Sequence, residues 1–423
     1  MKRTLALLFA LLFSLCVLKA QETPEFRQIA GKVVDGASNR PIHYASVNLA
    51  GTDVANVSNS EGVFTLKIDA RTPDFALVTV GSIGYATITL KISDFEGFTV
   101  DNPLRISLIP VSLTLDPALI SARDPEELMK AALYKIRDNY PTEPVGMTAF
   151  YREMVKKGSN KYLTMNEAVL DIAKAPYGTF RSDRVGIYKG RGSQNYDSTD
   201  TLFIKYQGGA VSILQIDQAK NPFAAVAIQD IGTVYDFTLE PTTFLDTRAF
   251  YVVRFNQKKY VEEMLMRGLV YIDSETLAIG RVEMQMNVEG RQDAAQAFVL
   301  KRPQDTQFTV ERADYVVNYK RSGDQKWYYD YARVEVVFKT KKKRSLFSNH
   351  YTVMSEIAVT DHKAGPVKIE QEARVRFRDQ MTVKLSAFTD PNFWENYNVI
   401  EPDADIQAIV KKIVRQLKKH NME

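Results

Sequence analysis

Cysteine is almost absent from this chain of 423 residues, since the only one is Cys16. The rest of the sequence therefore has no thiol for a disulfide, a zinc–thiolate site or nucleophilic catalysis. Histidine is also scarce, with four residues. A chain without disulfides is held together by burial of apolar side chains, and this length is ample for that.

Positively and negatively charged residues are nearly equal in number. The chain has 55 Lys and Arg residues against 51 Asp and Glu residues, which gives a formal net charge of +4. Without Lys2, Arg3 and Lys19, 52 basic residues remain against the 51 acidic ones. This balance gives no reason to expect a nucleic-acid partner.

The N-terminus has the pattern of a secretory signal peptide over residues 1–20. Lys2 and Arg3 form a basic head, Leu5–Leu18 is almost continuously apolar, and Ala20 suits the residue before a cleavage site. The apolar run is too short for an ordinary membrane span. Cys16 raises the alternative of lipoprotein processing, but Leu15 replaces the small residue expected before a lipidated cysteine. We therefore expect export and a mature chain that begins at Gln21.

Motifs for common catalytic and cofactor chemistry are missing from the sequence. It contains no His-Glu-x-x-His, Gly-x-Ser-x-Gly, phosphate loop or dinucleotide fingerprint. The only His-x-x-Glu runs from His420 to Glu423 at the chain end, and we interpret it as coincidental. His43, His350 and His362 have no second ligand nearby in sequence, and His43 is expected on a surface strand. The sequence thus assigns no catalytic, cofactor-binding or metal-binding residue, and no cofactor.

Residues 27–110 predict a small β-sandwich. Val47, Leu49, Phe64, Leu66 and Ile68 follow the two-residue period of half-buried strands, with turn residues between them. The pattern G-x-V-x-D … P-I-x-x-A-x-V-x-L-x-G-T … S-x-x-x-G-x-F-x-L, together with Gly81-Ser82-Ile83-Gly84-Tyr85, resembles the carboxypeptidase regulatory-like family. That resemblance implies a seven-stranded, transthyretin-like sandwich and says almost nothing about activity. The zinc ligands of the carboxypeptidases themselves are missing.

Residues 111–123 are expected to be a linker, and residues 124–423 a second domain. A helix is predicted over 124–140, with Asp124 as its cap and Pro125 at its first position. A second amphipathic helix is predicted over 404–420, with apolar and basic residues on opposite sides. Its apolar positions are Ile406, Ile409, Val410, Ile413, Val414 and Leu417. We expect both helices to pack on a sheet, although the last one also fits a membrane surface.

Between the two helices, alternating patterns predict successive antiparallel strands. Trp327, Tyr329 and Tyr331, for example, are expected on one face of a strand that follows a turn at Ser322–Asp324. Gly268–Ile279 is similar to strand pairs of periplasmic lipoprotein-carrier-like half-barrels, a family in which the concave face takes acyl chains. Phe150–Glu153 resembles a segment that follows regulatory-like domains in Gram-negative envelope proteins. The fold expected is mainly β: a seven-stranded sandwich and a large antiparallel, half-barrel-like sheet with packed amphipathic helices.

The basic run Lys341–Arg344 leaves two interpretations open. It fits a solvated loop between two strands, and it also fits a loop at a membrane, because Leu346 and Phe347 follow it.

Two functions remain open at this level. The first is a non-catalytic exported protein of the Gram-negative cell envelope, either periplasmic or membrane-associated. Its sandwich would be an adhesion or spacer module, and its β-rich body would bind a protein partner, glycan or lipid. The alternative is a hydrolase of glycosidase or peptidase type, with its site in residues 146–400. A glycosidase needs only two carboxylates, which no single sequence reveals among 51 acidic residues.

Overall fold

The structure is a computed structural model that describes residues 26–111, 124–158, 161–194, 209–222, 226–245, 248–291, 294–298, 305–388 and 397–403. The signal peptide expected over residues 1–20, the helix expected over 404–420 and nearly all of the linker expected at 111–123 lie outside these residues. In the part that is described, the fold is mainly β, with an N-terminal sandwich and one large open sheet.

The sandwich has the seven strands expected. One sheet has the order β4-β1-β7 and the other the order β3-β2-β5-β6. The strands are β1 (Phe26–Asp35), β2 (Ser46–Leu49), β3 (Ala55–Val57), β4 (Val63–Asp69), β5 (Leu77–Gly81), β6 (Ile88–Lys91) and β7 (Leu104–Leu108). The five alternating residues of the sequence pattern are all buried in the core between the sheets.

Within the described residues, the second sheet contains eleven strands, all antiparallel to their neighbours, in the order β11-β12-β13-β14-β15-β16-β17-β8-β9-β10-β18. In chain order, the first six of these strands are β8 (Val145–Lys157), β9 (Lys161–Lys174), β10 (Arg184–Gln194), β11 (Tyr235–Leu245), β12 (Arg248–Gln257) and β13 (Met266–Asp273). The others are β14 (Ile279–Met286), β15 (Thr306–Arg321), β16 (Trp327–Lys342), β17 (Ser348–Ala364) and β18 (Arg374–Val375). Among the described strands the sheet is open, with β11 and β18 as its two edges.

Short helices cover one face of the large sheet. They are α1 (Pro125–Tyr134), α2 (Ile136–Asn139), α3 (Gly209–Gln215), α4 (Ile231–Val234) and α5 (Met381–Leu385). Asp124 caps α1 as expected, because its carboxylate accepts hydrogen bonds from the backbone N–H of Glu126 at 2.8 Å and of Glu127 at 3.4 Å. The helix predicted over 124–140 is interrupted at Lys135 but keeps its apolar stripe buried in the core. Side chains of the chain's own helices therefore fill this face of the sheet.

The opposite face carries the sandwich and the segment 397–403. Tyr44 of the sandwich stacks on Tyr331 of β16, with the ring centroids 4.9 Å apart. Val57, Phe150 and Ile400 share a small apolar cluster with Tyr331. Among the described residues, no helix is long and apolar enough to cross a membrane.

Candidate functional site

A cavity of about 550 Å³ lies between the sandwich and the large sheet, and we call it the interdomain pocket. The sandwich contributes residues of β2 and β5 and of the turns that follow them. The sheet contributes residues near the ends of β11, β12, β14, β15 and β16. Its lining residues used below are Asp53, Gly81, Thr87, Arg248, Phe250, Gly280, Arg281, Lys320, Trp327 and Asp330. Pockets of this size at a boundary between domains are common ligand sites.

Three irregularities in strand pairing shape the sheet side of the pocket. The register of β15 and β16 passes from Tyr319–Tyr329 to Asn318–Tyr331, which leaves Asp330 unpaired as a β-bulge. Gly280 of β14 likewise has no partner in β13. The register of β11 with β12 also shifts, between Glu240 and Thr243. Bulges redirect side chains and end regular pairing, so they open a recess at the end of an otherwise continuous sheet.

The bulge at Asp330 makes one prediction from the alternating pattern wrong. Trp327 and Tyr329 lie in the core beneath the helices, whereas Tyr331 lies on the opposite face against the sandwich. One extra residue in a strand moves every later side chain to the other face. The same displacement places Asp330 at the pocket.

The glycine-containing segment that supports the family resemblance attaches the sandwich to the sheet. The backbone N–H of Gly84 donates a hydrogen bond to the carbonyl of Phe244 at 2.7 Å, and Tyr85 forms a β-bridge with Leu245. Gly84 has φ of +92°, a conformation that glycine adopts without steric cost. This contact holds one wall of the pocket, because Gly81 and Thr87 lie on either side of it.

Two arginines of the pocket are already neutralised within the sheet. The Arg248 guanidinium binds both oxygens of Asp273, at 2.6 and 2.7 Å. The Arg281 guanidinium donates to Glu283 at 2.8 Å and to the side-chain oxygen of Asn318 at 3.1 Å. These pairs fix the two side chains in place, so the arginines shape the wall and add little net charge.

Four other groups in the pocket lack such partners. The buried indole N–H of Trp327 and the buried hydroxyl of Thr87 have no hydrogen-bond partner within the described structure. The carboxylate of Asp330 makes no hydrogen bond there, and neither it nor the Lys320 ammonium has an ion-pair partner within 4.0 Å among the described residues. Burial raises the pKa of Asp330 to about 6, although the charge of Lys320 acts in the opposite direction. Unpartnered polar groups in a cavity are costly without a ligand or water.

A small recess next to the pocket contains His362 of β17. Its Nε2 lies 3.5 Å from a carboxylate oxygen of Asp53, and its ring stacks on Tyr328 at 4.2 Å between centroids. Sequence spacing could not reveal this pair, since the two residues come from different domains. The other histidines lie elsewhere. His43 is exposed but in a turn and not a strand, His350 faces Glu311 at 3.4 Å, and His420 is outside the described residues.

The Phe150–Glu153 segment has a structural role. Arg152 is buried and donates to Glu167 at 2.8 Å, to Glu356 at 3.0 Å and to the carbonyl of Ile400 at 2.7 Å. Burial lowers the pKa of Arg152, but the carboxylates of Glu167 and Glu356 outweigh it and raise that pKa overall. The network fixes the segment 397–403 on the sheet.

A second buried network lies under the helices. Asp217 is fully buried and accepts hydrogen bonds from Lys174 at 2.6 Å, Tyr319 at 2.7 Å and Tyr177 at 3.0 Å. Burial lowers the pKa of Lys174, whereas Asp183 and Asp217 raise it and prevail. Every polar atom described in this network has a partner, so it stabilises the fold and leaves no group free for a ligand.

A second cavity, of about 760 Å³, lies among α1, α2, α3 and the loop at 178–183. None of its lining residues belongs to a strand. It is therefore not the open sheet face at which a lipoprotein carrier would take an acyl chain. Within the described residues, no group of three or more His, Cys, Asp or Glu side chains is placed to hold a metal ion.

Comparisons with known proteins add little. No protein-family model matches the chain, and no curated protein matches it. Among solved structures, the chain is similar to the crystal structure of a DUF1329 family protein from Desulfovibrio piger ATCC 29098. The identity is 14%, the match covers 56% of this chain and 94% of that chain, and the TM-score is 0.22. A TM-score this low supports no inference about fold or function.

Proposed function

We propose that this protein is an exported, non-catalytic component of a Gram-negative cell envelope and that it binds a glycan in the interdomain pocket. The observation that carries the proposal is the set of unpartnered polar groups that line the pocket. Trp327 presents a buried N–H, while Asp330 and Lys320 present an acceptor and a donor that do not pair with each other. The signal-peptide pattern supports export.

A sugar ring matches this arrangement in two respects. Its hydroxyl groups act as donors and acceptors at once, so they satisfy Asp330, Lys320 and the Trp327 N–H together. Its C–H groups contact apolar atoms, and the pocket wall includes atoms of the almost fully buried rings of Phe250 and Trp327. A purely apolar ligand would leave the four polar groups without partners. Their desolvation would then cost free energy that no hydrogen bond offsets.

The test is calorimetric titration of the purified chain with oligosaccharides released from peptidoglycan and from envelope polysaccharides. We expect saturable binding that weakens about tenfold or more in Trp327→Phe, which keeps an aromatic ring and removes the N–H. Tyr260→Phe is the control, since it removes an exposed hydroxyl bonded to the Thr233 carbonyl, outside the pocket. Absence of binding to all these glycans, or equal affinity in Trp327→Phe, would overturn the proposal.

A glycoside hydrolase is the second candidate, and one observation favours it. Asp330, whose pKa is raised to about 6 by burial, shares the small recess with Asp53. A carboxyl group with a raised pKa next to a second carboxylate is the minimal requirement for glycoside cleavage. Release of new reducing ends from a bound oligosaccharide, lost in both Asp330→Asn and Asp53→Asn, would establish hydrolysis in place of binding alone.

A further inference from the structure

The hairpin between β16 and β17 presents two apolar side chains to solvent at its tip. Leu346 is 91% exposed and Phe347 is 81% exposed. The turn has a defined conformation: the Ser345 hydroxyl donates to the Phe347 carbonyl at 2.9 Å, and the Ser345 N–H donates to the Lys342 carbonyl at 2.9 Å. Two large apolar side chains held outward side by side suggest a contact surface rather than part of the core.

Cations surround this tip. Lys341–Arg344 are all exposed, and none has an ion-pair partner within 4.0 Å among the described residues. Lys339 is exposed on the same strand, and Lys156 and Lys161 lie at the adjoining ends of β8 and β9. The pairing of Tyr351 with Lys157 brings these strand ends beside the hairpin. Two carboxylates are described at this end: Asp305 lies beside Lys343 and accepts a hydrogen bond from the Thr306 hydroxyl at 3.1 Å, and Glu311 faces His350 at 3.4 Å.

We propose that this end of the sheet docks on an anionic lipid surface, with Leu346 and Phe347 entering the headgroup region and the lysines and Arg344 above it. Charge complementarity selects the partner, since a cluster of cations at a membrane surface attracts anionic headgroups. The exposed apolar pair distinguishes a bilayer from a soluble polyanion, because only a bilayer offers an apolar layer under the charged one. This surface is separate from the interdomain pocket, so the inference does not depend on the proposed ligand.

The test is co-sedimentation of the chain starting at Gln21 with vesicles, which removes the apolar run Leu5–Leu18 from the experiment. We expect binding to vesicles that contain phosphatidylglycerol, little binding to pure phosphatidylcholine, and weaker binding as salt is raised. The double variant Leu346→Ser, Phe347→Ser should bind at least about tenfold more weakly. Replacing all four residues of Lys341–Arg344 with Gln should abolish the preference for phosphatidylglycerol.

The matched control is Phe180→Ser, which removes another fully exposed phenylalanine. Phe180 lies in the loop between β9 and β10, at the opposite end of β9 from Lys161, so binding should not change. Each variant changes exposed side chains, and a thermal melt verifies that it remains folded. No binding of the wild-type chain to anionic vesicles, or equal binding by the double variant, would overturn the proposal. Wild-type binding to heparin but not to vesicles would show a polyanion site instead.

Discussion

Two carboxylates of this protein, Asp217 and Asp330, differ in the hydrogen bonds that they accept. Asp217 receives hydrogen bonds from Lys174, Tyr177 and Tyr319, so its charge is fully compensated under the helices. Asp330 lies half-buried on a bulge, and its carboxylate has no hydrogen bond to any described residue. A buried charge whose hydrogen-bonding partners are all present is compatible with a stable fold. A charge without partners in a cavity reduces stability and is typical of binding and catalytic sites.

The pKa of Asp330 leads to a prediction about pH. It is raised from 3.8 to about 6 by burial, so the folded protein holds this proton more tightly than the unfolded chain. The contribution of this group to stability is therefore complete below about pH 4 and is lost as the pH rises through about 6. We expect Asp330→Asn to raise the free energy of unfolding by about 1–3 kcal/mol at pH 7 and to change it little at pH 4.

Urea unfolding of both proteins at a series of pH values measures this difference. Asp101→Asn, at an exposed position of the sandwich, is the control for loss of a carboxylate. A constant difference between wild type and Asp330→Asn at all pH values would contradict the raised pKa. If Asp330 also binds the glycan, the stabilised variant should bind it more weakly.

At the scale of elements, α1 has the N-terminal cap and the buried apolar face that its sequence predicted. Its cap and first turn lie within a few residues of one another, and Lys130 adds ion pairs to Glu126 and Glu127, each at 2.8 Å. Its apolar residues Met129, Ala132 and Leu133 pack into the core over the large sheet. The helix thus depends on the cap at its start and on the sheet along its length.

The cap can be tested by a pair of substitutions. Asp124→Ala removes the acceptor for the first backbone N–H groups of α1 and should lower the free energy of unfolding by about 1 kcal/mol. Asp124→Asn retains an acceptor oxygen and should have an effect of only a few tenths of a kcal/mol. Chemical denaturation at constant pH measures both. Equal losses in the two variants would point to the charge of Asp124, not to its hydrogen bonds.

At the scale of the whole molecule, the segment 397–403 connects the two domains. Its Asn398 accepts a hydrogen bond from the backbone N–H of Lys67 at 2.7 Å, and the Val399 carbonyl accepts one from Asn56 at 2.8 Å. Glu401 accepts one from Thr65 at 2.5 Å. On its other side, the segment is held by Arg152 of the large sheet. The sandwich is therefore fixed on the sheet through segment 397–403, through Tyr44 and through the contacts of Gly84 and Tyr85.

Limited proteolysis tests how independent the sandwich is. The division at residues 111–123 predicts cleavage within that stretch while both domains remain folded. The contacts through 397–403 predict that the two fragments then stay together in size-exclusion chromatography. Combining Asn56→Ala with Tyr44→Ala should make the N-terminal fragment separate more readily, whereas Arg71→Ala, at an exposed position of the sandwich, should not. Cleavage only after complete unfolding would contradict the division into two domains.

The sequence by itself determined the features that depend on neighbouring residues. The two-residue period of Val47 and Leu49 or of Phe64 and Leu66 is a property of a single strand, and the cap and stripe of α1 are properties of a single helix. These patterns predicted the sandwich, the antiparallel sheet and α1 because the physical cause lies within one element.

Only the tertiary structure decided the sites. Arg152 and Glu356 are 204 residues apart in the sequence, and Asp53 meets His362 across the domain boundary. The bulge at Asp330 depends on how β16 pairs with β15, and it moved Tyr331 to the face opposite Trp327. Alternation in one strand carries no information about its partner's register, so neither the interdomain pocket nor its unpartnered groups could be derived from it.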